Sequence, residues 1–415
     1  MTAGELGELN EAIGDAWDRA GEFQRATESF AASRRLLQGD PLSETRLLLK
    51  RSKAEEKLGH YPQALAWVTR ARRLLADVPG REATSRSAQL SAWYATVLQA
   101  EGRTTDALSW CERAVAEAEA AGDQEALAQA YNVLEWVDIM MGHSDGRHLR
   151  KALAIYESMG DLAGQAKILT NLGAGAYFSG QWDEAIECWE RGREAYLKVG
   201  QPVDAASSDS NMGEVLSDQG RLDEAEPLLR EALRVWRASG DRYSYAGTLS
   251  QLGRVLSRSG RHEEALQLFA EARDGLGSVG AQADVLETDA KIAECYLFMG
   301  RHDEALELAT STLEKVNAPD SVSVAGPLLE RVIGYARLQS GDVAGARAAF
   351  ESCLAVARER GADFEVAMAL RGLTQLDYCE GCQSPAERLA EAQEIFERLR
   401  VIAAPAIPAP VLVGA

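Results

Sequence analysis

No stretch of this 415-residue chain is apolar for long enough to span a bilayer, and residues 1–10 carry neither the basic start nor the apolar run of an export signal. Both absences point to a cytoplasmic protein with no membrane partner. Basic charge is in short supply: 44 Lys and Arg stand against 64 Asp and Glu, a formal charge of −20. A surface of that sign repels phosphate backbones, which argues against direct binding of nucleic acid. Cysteine is sparse as well. The six (Cys111, Cys188, Cys295, Cys353, Cys379 and Cys382) follow no framework spacing, which fits a reducing compartment where each is a small buried hydrophobe. Cys379 and Cys382 form a CxxC, yet a metal site needs two further ligands and the redox form of the motif accompanies a strand pattern, so chance placement is the preferred reading.

The motifs of catalysis are missing too. The chain has no Gly-x4-Gly-Lys-Ser/Thr loop, no His-Glu-x2-His, no Gly-x-Ser-x-Gly and no kinase signature set. The nearest imitations are Gly173-Ala-Gly-Ala, which lies inside a predicted helix, and His262-Glu-Glu and His302-Asp-Glu, which fall at predicted turns. His143, Asp145 and His148 share one short segment, and an inserted loop accounts for them better than a metal site. The many acidic side chains read as solvated helix faces. No enzyme activity, cofactor or metal is expected.

What the chain has in abundance is a period. Glycines at 21, 59, 102, 142, 180, 220, 260, 300, 341 and 381 are spaced 38 to 43 residues apart, and after nine of the ten an alanine follows five positions later. The exception is Gly142, where His143 to His148 delays the alanine to Ala152. The stretch from Ala246 to Leu276 shows one unit. Leu249, Leu252, Gly253 and Leu256 recur at helical spacing; Gly260-Arg-His turns the chain; Ala265, Leu266, Phe269 and Ala272 line a second helix. Small residues let the backbones approach while Leu and Phe fill the space between. A single such pair cannot bury its apolar face alone, so ten in register predict one continuous stacked array. A second irregularity falls at Arg46 to Lys53, where the Leu-Gly pair is absent and less regular packing is expected. Residues 384–399 read as a closing helix, and the proline-containing 401–415 as a non-helical tail.

Gly253, Ala265 and Phe269 stand where the tetratricopeptide signature W-x2-L-G-x2-Y, then A-x3-F, needs them, as do Leu172-Gly173 with Ala185 and Trp189, and Ile333-Gly334 with Ala346 and Phe350. From about Glu5 to Arg400 the chain resembles the tetratricopeptide repeat family. The resemblance implies an all-α, right-handed superhelical solenoid of about ten helix-turn-helix repeats of about 40 residues, forming a single domain over 1–400. The wording of the middle repeats, such as Ala154-Ile-Tyr-Glu-Ser-Met-Gly-Asp and Asn211-Met-Gly-Glu-Val-Leu-Ser-Asp-Gln-Gly, is similar to the C-terminal repeats of large bacterial regulators that carry nucleotide cyclase and P-loop ATPase domains. That likeness implies a non-catalytic regulatory module, the C-terminal part of a larger signalling protein, that contacts a protein or an extended peptide. A sensor that changes superhelix shape on taking a peptide or small ligand, and a free-standing adaptor, are the alternatives.

In the tetratricopeptide frame the first helix of each pair lines a concave groove. This places Asn132, Trp136, Met140 and Met141 on one inner face and Tyr177 and Phe178 on the next, an apolar run where a solvated surface would be polar. The same frame gives Ser207, Ser210, Glu214, Ser217 and Asp218, then Ser250, Arg254, Ser257 and Arg258. Asn171 and Asn211 precede the Leu-Gly and Met-Gly pairs, where peptide-clamping repeats often place an Asn. The expected groove residues are Asn132, Trp136, Met140, Met141, Asn171, Tyr177, Phe178, Asn211 and Arg254, with packing between first helices as the competing account of the aromatics.

Overall fold

A computed structural model describes residues 2–19, 21–37, 39–140, 145–319, 321–381 and 386–408. Among these, the chain forms helices joined by short turns and no strand. Residues 1–168 make one compact unit and 169–415 another. The first holds the pairs α1 (Ala3–Arg19) with α2 (Phe23–Leu36), α3 (Pro41–Lys57) with α4 (Tyr61–Leu75), α5 (Arg81–Ala100) with α6 (Thr104–Ala121), and α7 (Gln124–Met140) with α8 (Arg147–Met159). The unit boundary falls within α9 (Leu162–Phe178). The second unit continues with α10 (Trp182–Lys198), α11 (Pro202–Gln219), α12 (Leu222–Ser239), α13 (Arg242–Arg258), α14 (His262–Ser278), α15 (Gln282–Phe298) and α16 (His302–Val316). It ends with α17 (Gly326–Ser340), α18 (Val343–Arg360), α19 (Asp363–Cys379) and α20 (Ala386–Arg398).

The period has a steric cause. A β-carbon on Gly253 would lie 2.7 Å from the Phe269 ring, and one on Gly334 would lie 2.6 Å from the ring of Phe350. Gly14 meets Phe30, and Gly213 meets Leu229, in the same way. These first helices thus give up a side chain so that a large residue of the second helix can lie against their backbone, and the alanines Ala26, Ala225, Ala265 and Ala346 are fully buried beside that contact. Among the described residues the turn glycines adopt positive φ, as at Gly260 (84°), which ends the helix and reverses the chain.

Both sequence irregularities have local solutions. Ser52 replaces the glycine of α3; it is buried, donates to the Ala64 carbonyl at 2.9 Å and accepts from Trp93 Nε1 at 2.9 Å, so α3 and α4 pack closely after all. In α7 the glycine position is Glu135, which is buried and reaches the N-terminus of α8: its carboxylate accepts from Gly146 N at 2.9 Å and His148 N at 3.0 Å. A carboxylate satisfies the orphan N–H groups of that helix start and complements its dipole.

Within each unit, successive first helices touch one another (α3 with α5, α5 with α7, α11 through α19 in steps of two), whereas successive second helices pack less closely. The first helices therefore take the inside of each curve. The second unit departs from nearest-neighbour stacking. Trp182 at the start of α10 meets Phe364 at the start of α19, with ring centroids 5.9 Å apart, and Arg398 of α20 pairs with Asp363 while lying over Gly180.

Candidate functional site

On the inner face of the second unit, α11, α13 and α15 enclose an open groove of about 300 Å³. Its floor is a ladder of hydroxyls that follows the repeat. Ser210 and Thr248 oxygens lie 3.0 Å apart, and one repeat later Ser250 and Thr288 stand at the same 3.0 Å. Gln251 donates to Glu214 at 3.1 Å and Lys291 to Ser250 at 3.4 Å. The rim carries Glu214, Asp284 and Glu287 against the one cation Lys291. Burial pushes the Glu287 carboxyl above its ordinary range; Lys291 opposes that shift, and Glu214 and Asp284 reinforce it. Three crowded carboxylates with one ammonium favour an incoming cation.

Deeper in the same unit the first helices meet through charges. Asp218 accepts from Arg254 at 3.0 Å and from Arg258 at 2.7 Å; Glu294 accepts from Arg331 at 2.7 Å and lies 3.5 Å from Arg254; Arg331 also reaches Glu365 at 2.6 Å. Three arginines and three carboxylates from α11, α13, α15, α17 and α19 balance, and Arg331 is 0% exposed. Burial works against the Glu294 charge, but Arg258, Arg331 and Arg254 hold its carboxyl well below the usual range. Charges removed from water this way stay only because they are paired, so this cluster joins helices.

The first unit has a differently lined cavity of about 270 Å³, with Arg46, Lys50, Lys53 and Arg86 around Trp93. Arg46 and Lys50 are paired with Glu11 and Asp15 of α1. Lys53 is accessible to solvent but set inside the concavity, and that enclosure lowers its ammonium below the ordinary range.

The sequence model of the tetratricopeptide repeat family matches residues 204–276, which run from α11 through α14 and carry two sides of the hydroxyl-lined groove. Residues 204–276 are tetratricopeptide repeats. No curated protein matches it by sequence. Among solved structures, a Rap protein complexed with competence and sporulation factor aligns with a TM-score of 0.57 at 15% identity, over 86% of this chain and 97% of that one. The apo form of the quorum sensor NprR from B. thuringiensis aligns at 0.49 and 13% identity, covering 94% and 99%. A signal transduction ATPase with numerous domains from Pyrococcus horikoshii, which has a tetratricopeptide repeat sensor, aligns at 0.47 and 11%, covering 90% and 65%. The likeness to the Rap protein is one of fold.

The expected groove residues part company. Asn211 lines the hydroxyl groove. Arg254 does not: it is buried and neutralised by Asp218 and Glu294, because the concave position it occupies faces acidic neighbours on α11 and α15. Tyr177 packs on Trp182 and Trp189, with centroids 6.0 and 6.2 Å away, as part of the core. Phe178 is 80% exposed. Trp136 (40%) and Met140 (60%) belong to the first unit and are exposed there, and Asn132 and Asn171 are half-buried. Met141 lies outside the described residues, as do His143, Cys382 and the side chain of Cys379. Asp145 accepts from Arg147 N at 3.0 Å, and His148 approaches Asp138 at 3.3 Å. Among the described residues no cluster of His, Cys, Asp and Glu could hold a metal, and no helix is long and apolar enough to cross a membrane. Sequence reading missed Glu294, Arg331 and Glu365. The available signal was the alternation of sign at 40-residue spacing, Glu214, Arg254, Glu294 on one row and Asp218, Arg258 on the next.

Proposed function

We propose that this protein is a regulatory module that holds an extended peptide, or an extended segment of a partner protein, in the hydroxyl-lined groove of α11, α13 and α15. The observation that carries this reading is the repeat-spaced ladder of donors and acceptors with Asn211 at its edge. Hydrogen-bonding groups at a regular interval suit the regular N–H and C=O groups of an extended backbone. The crowded Glu214, Asp284 and Glu287 select a peptide with a Lys or Arg side chain at that point. A Rap protein of the same fold, complexed with competence and sporulation factor, supports a regulatory role. The wording of the middle repeats supports a place behind nucleotide-handling domains in a larger bacterial regulator. Trp136 and Met140 in the first unit, and Phe178 in the second, are the apolar anchors we assign to further partner contact, with Asn132 and Asn171 as candidate backbone ligands.

The test is a fixed array of extended octapeptides with and without a central Lys or Arg, probed with the full chain. Enrichment of basic peptides is expected, and Asp284→Asn combined with Glu287→Gln should remove it. Selection with no basic preference, or a preference that survives both changes, would sink the groove assignment.

A further inference from the structure

Residues after α20 form an extended run laid across the second unit's own helices. The turn into it is costly. Arg400 holds φ at 58°, and among the described residues it alone adopts positive φ without being glycine. Beyond it, Ile402 N and Ala403 N donate to the carbonyl of Gln219, at 2.9 and 3.4 Å, and the Gln219 side chain donates to the Leu399 carbonyl at 3.1 Å. Ala403 sits directly over Gly220, whose missing β-carbon is the space it fills. Arg371 of α19 donates to the Pro405 carbonyl at 3.3 Å, and Gln339 of α17 donates to the Pro408 carbonyl at 2.6 Å. Ile407 is 7% exposed and joins the apolar cluster of α15, α17 and α19.

These contacts share a pattern. Side chains and one carbonyl of the helices read only backbone groups of the segment, small residues and prolines keep it extended, and one isoleucine supplies the apolar anchor. Gln339 Oε1 is in addition buried without a hydrogen-bond partner. We propose that Gln219, Gly220, Gln339 and Arg371 form a second peptide site, specific for extended Ala/Pro-rich peptides with a spaced isoleucine, and that residues 401–408 occupy it in cis. A peptide of that chemistry binds in trans only when the chain's own segment is displaced. The site is separate from the hydroxyl-lined groove, so its failure leaves that reading standing.

The probe is a fluorescein-labelled peptide, Val-Ile-Ala-Ala-Pro-Ala-Ile-Pro, followed by anisotropy with the full chain. Wild type should bind it weakly, and Ile407→Asp, which releases the cis segment, at least tenfold more tightly. Adding Gly220→Ala should abolish that gain, whereas adding Gly260→Ala should not: both glycines share a positive φ (81° and 84°), but only Gly220 faces the segment. Equal binding by wild type and Ile407→Asp, or equal effects of the two glycine changes, overturns the proposal. Should Ile407→Asp fail to fold by circular dichroism, a chain ending at Arg400 replaces it with the same pair of glycine variants. Hydrogen exchange on the unmodified chain decides independently: protected Ile402 and Ala403 amides are expected, and free exchange at both rejects cis occupancy.

Discussion

Glu117 of α6 shows how single side chains tie one repeat to the next. Its carboxylate accepts from Arg72 of α4 at 3.0 Å, from Arg113 at 2.8 Å and from Ser91 of α5 at 2.6 Å. Burial alone would push it up, but those hydrogen bonds and the Arg72 charge outweigh burial and hold it at about 2. A carboxylate depressed from its ordinary 4.5 to about 2 stabilises the fold fully above pH 4.5 and loses that contribution as pH falls toward 2. Glu117 is part-buried, so solvent screening leaves an amount at stake on the order of 1–2 kcal/mol. Urea titrations at pH 7 and pH 3 should show this loss in wild type, and Glu117→Gln should be less stable at pH 7 with a flatter acid dependence. An unchanged pH slope in the variant would remove Glu117 from the account.

At the scale of elements, the period was readable because it is steric: Gly253 against Phe269 is a contact that only a few residue pairs can make, and it recurs at Gly14, Gly173, Gly213 and Gly334. The fourth repeat was readable only as an irregularity. No helical-repeat pattern announces that Glu135 will sit in the glycine position and cap α8, since a Glu in a helix reads equally well as a solvated side chain. The groove aromatics were ambiguous for a related reason. Tyr177 and Phe178 are adjacent in sequence, yet the first packs on Trp182 and the second is open to solvent; an error of one position in helix phase exchanges them. Glu135 itself gives an element-scale prediction. Glu135→Ala leaves the Gly146 and His148 amides without their acceptor and should cost on the order of 3 kcal/mol, read by chemical denaturation. Glu135→Gln, which keeps one acceptor oxygen, should cost less; equal losses would mean that the space, and not the capping, is what matters.

For the whole chain, a simple stack of repeats implies that each repeat meets its neighbours alone. The second unit breaks that rule, and sequence could not have shown it, because a contact between Trp182 and Phe364 has no periodic signature. Its consequence is a different response to truncation. In a linear array, removing residues from Gly341 onward takes away one interface and leaves α10 and α11 untouched. Here the same cut removes Phe364 from Trp182, the Leu399 carbonyl from Gln219, Arg400 from Asp183, and Glu365 from the buried Arg331. An arginine stripped of one buried partner is strongly destabilising, so the damage should spread through α17, α15 and α13 as well. Hydrogen exchange followed by mass spectrometry on the truncated chain should therefore show faster exchange in α10 and α11, some 120 or more positions from the cut, while α3 to α6 in the first unit keep their protection. Unchanged protection of α10 would mean that the Trp182–Phe364 contact adds nothing to stability, and that the second unit unfolds repeat by repeat like an open array.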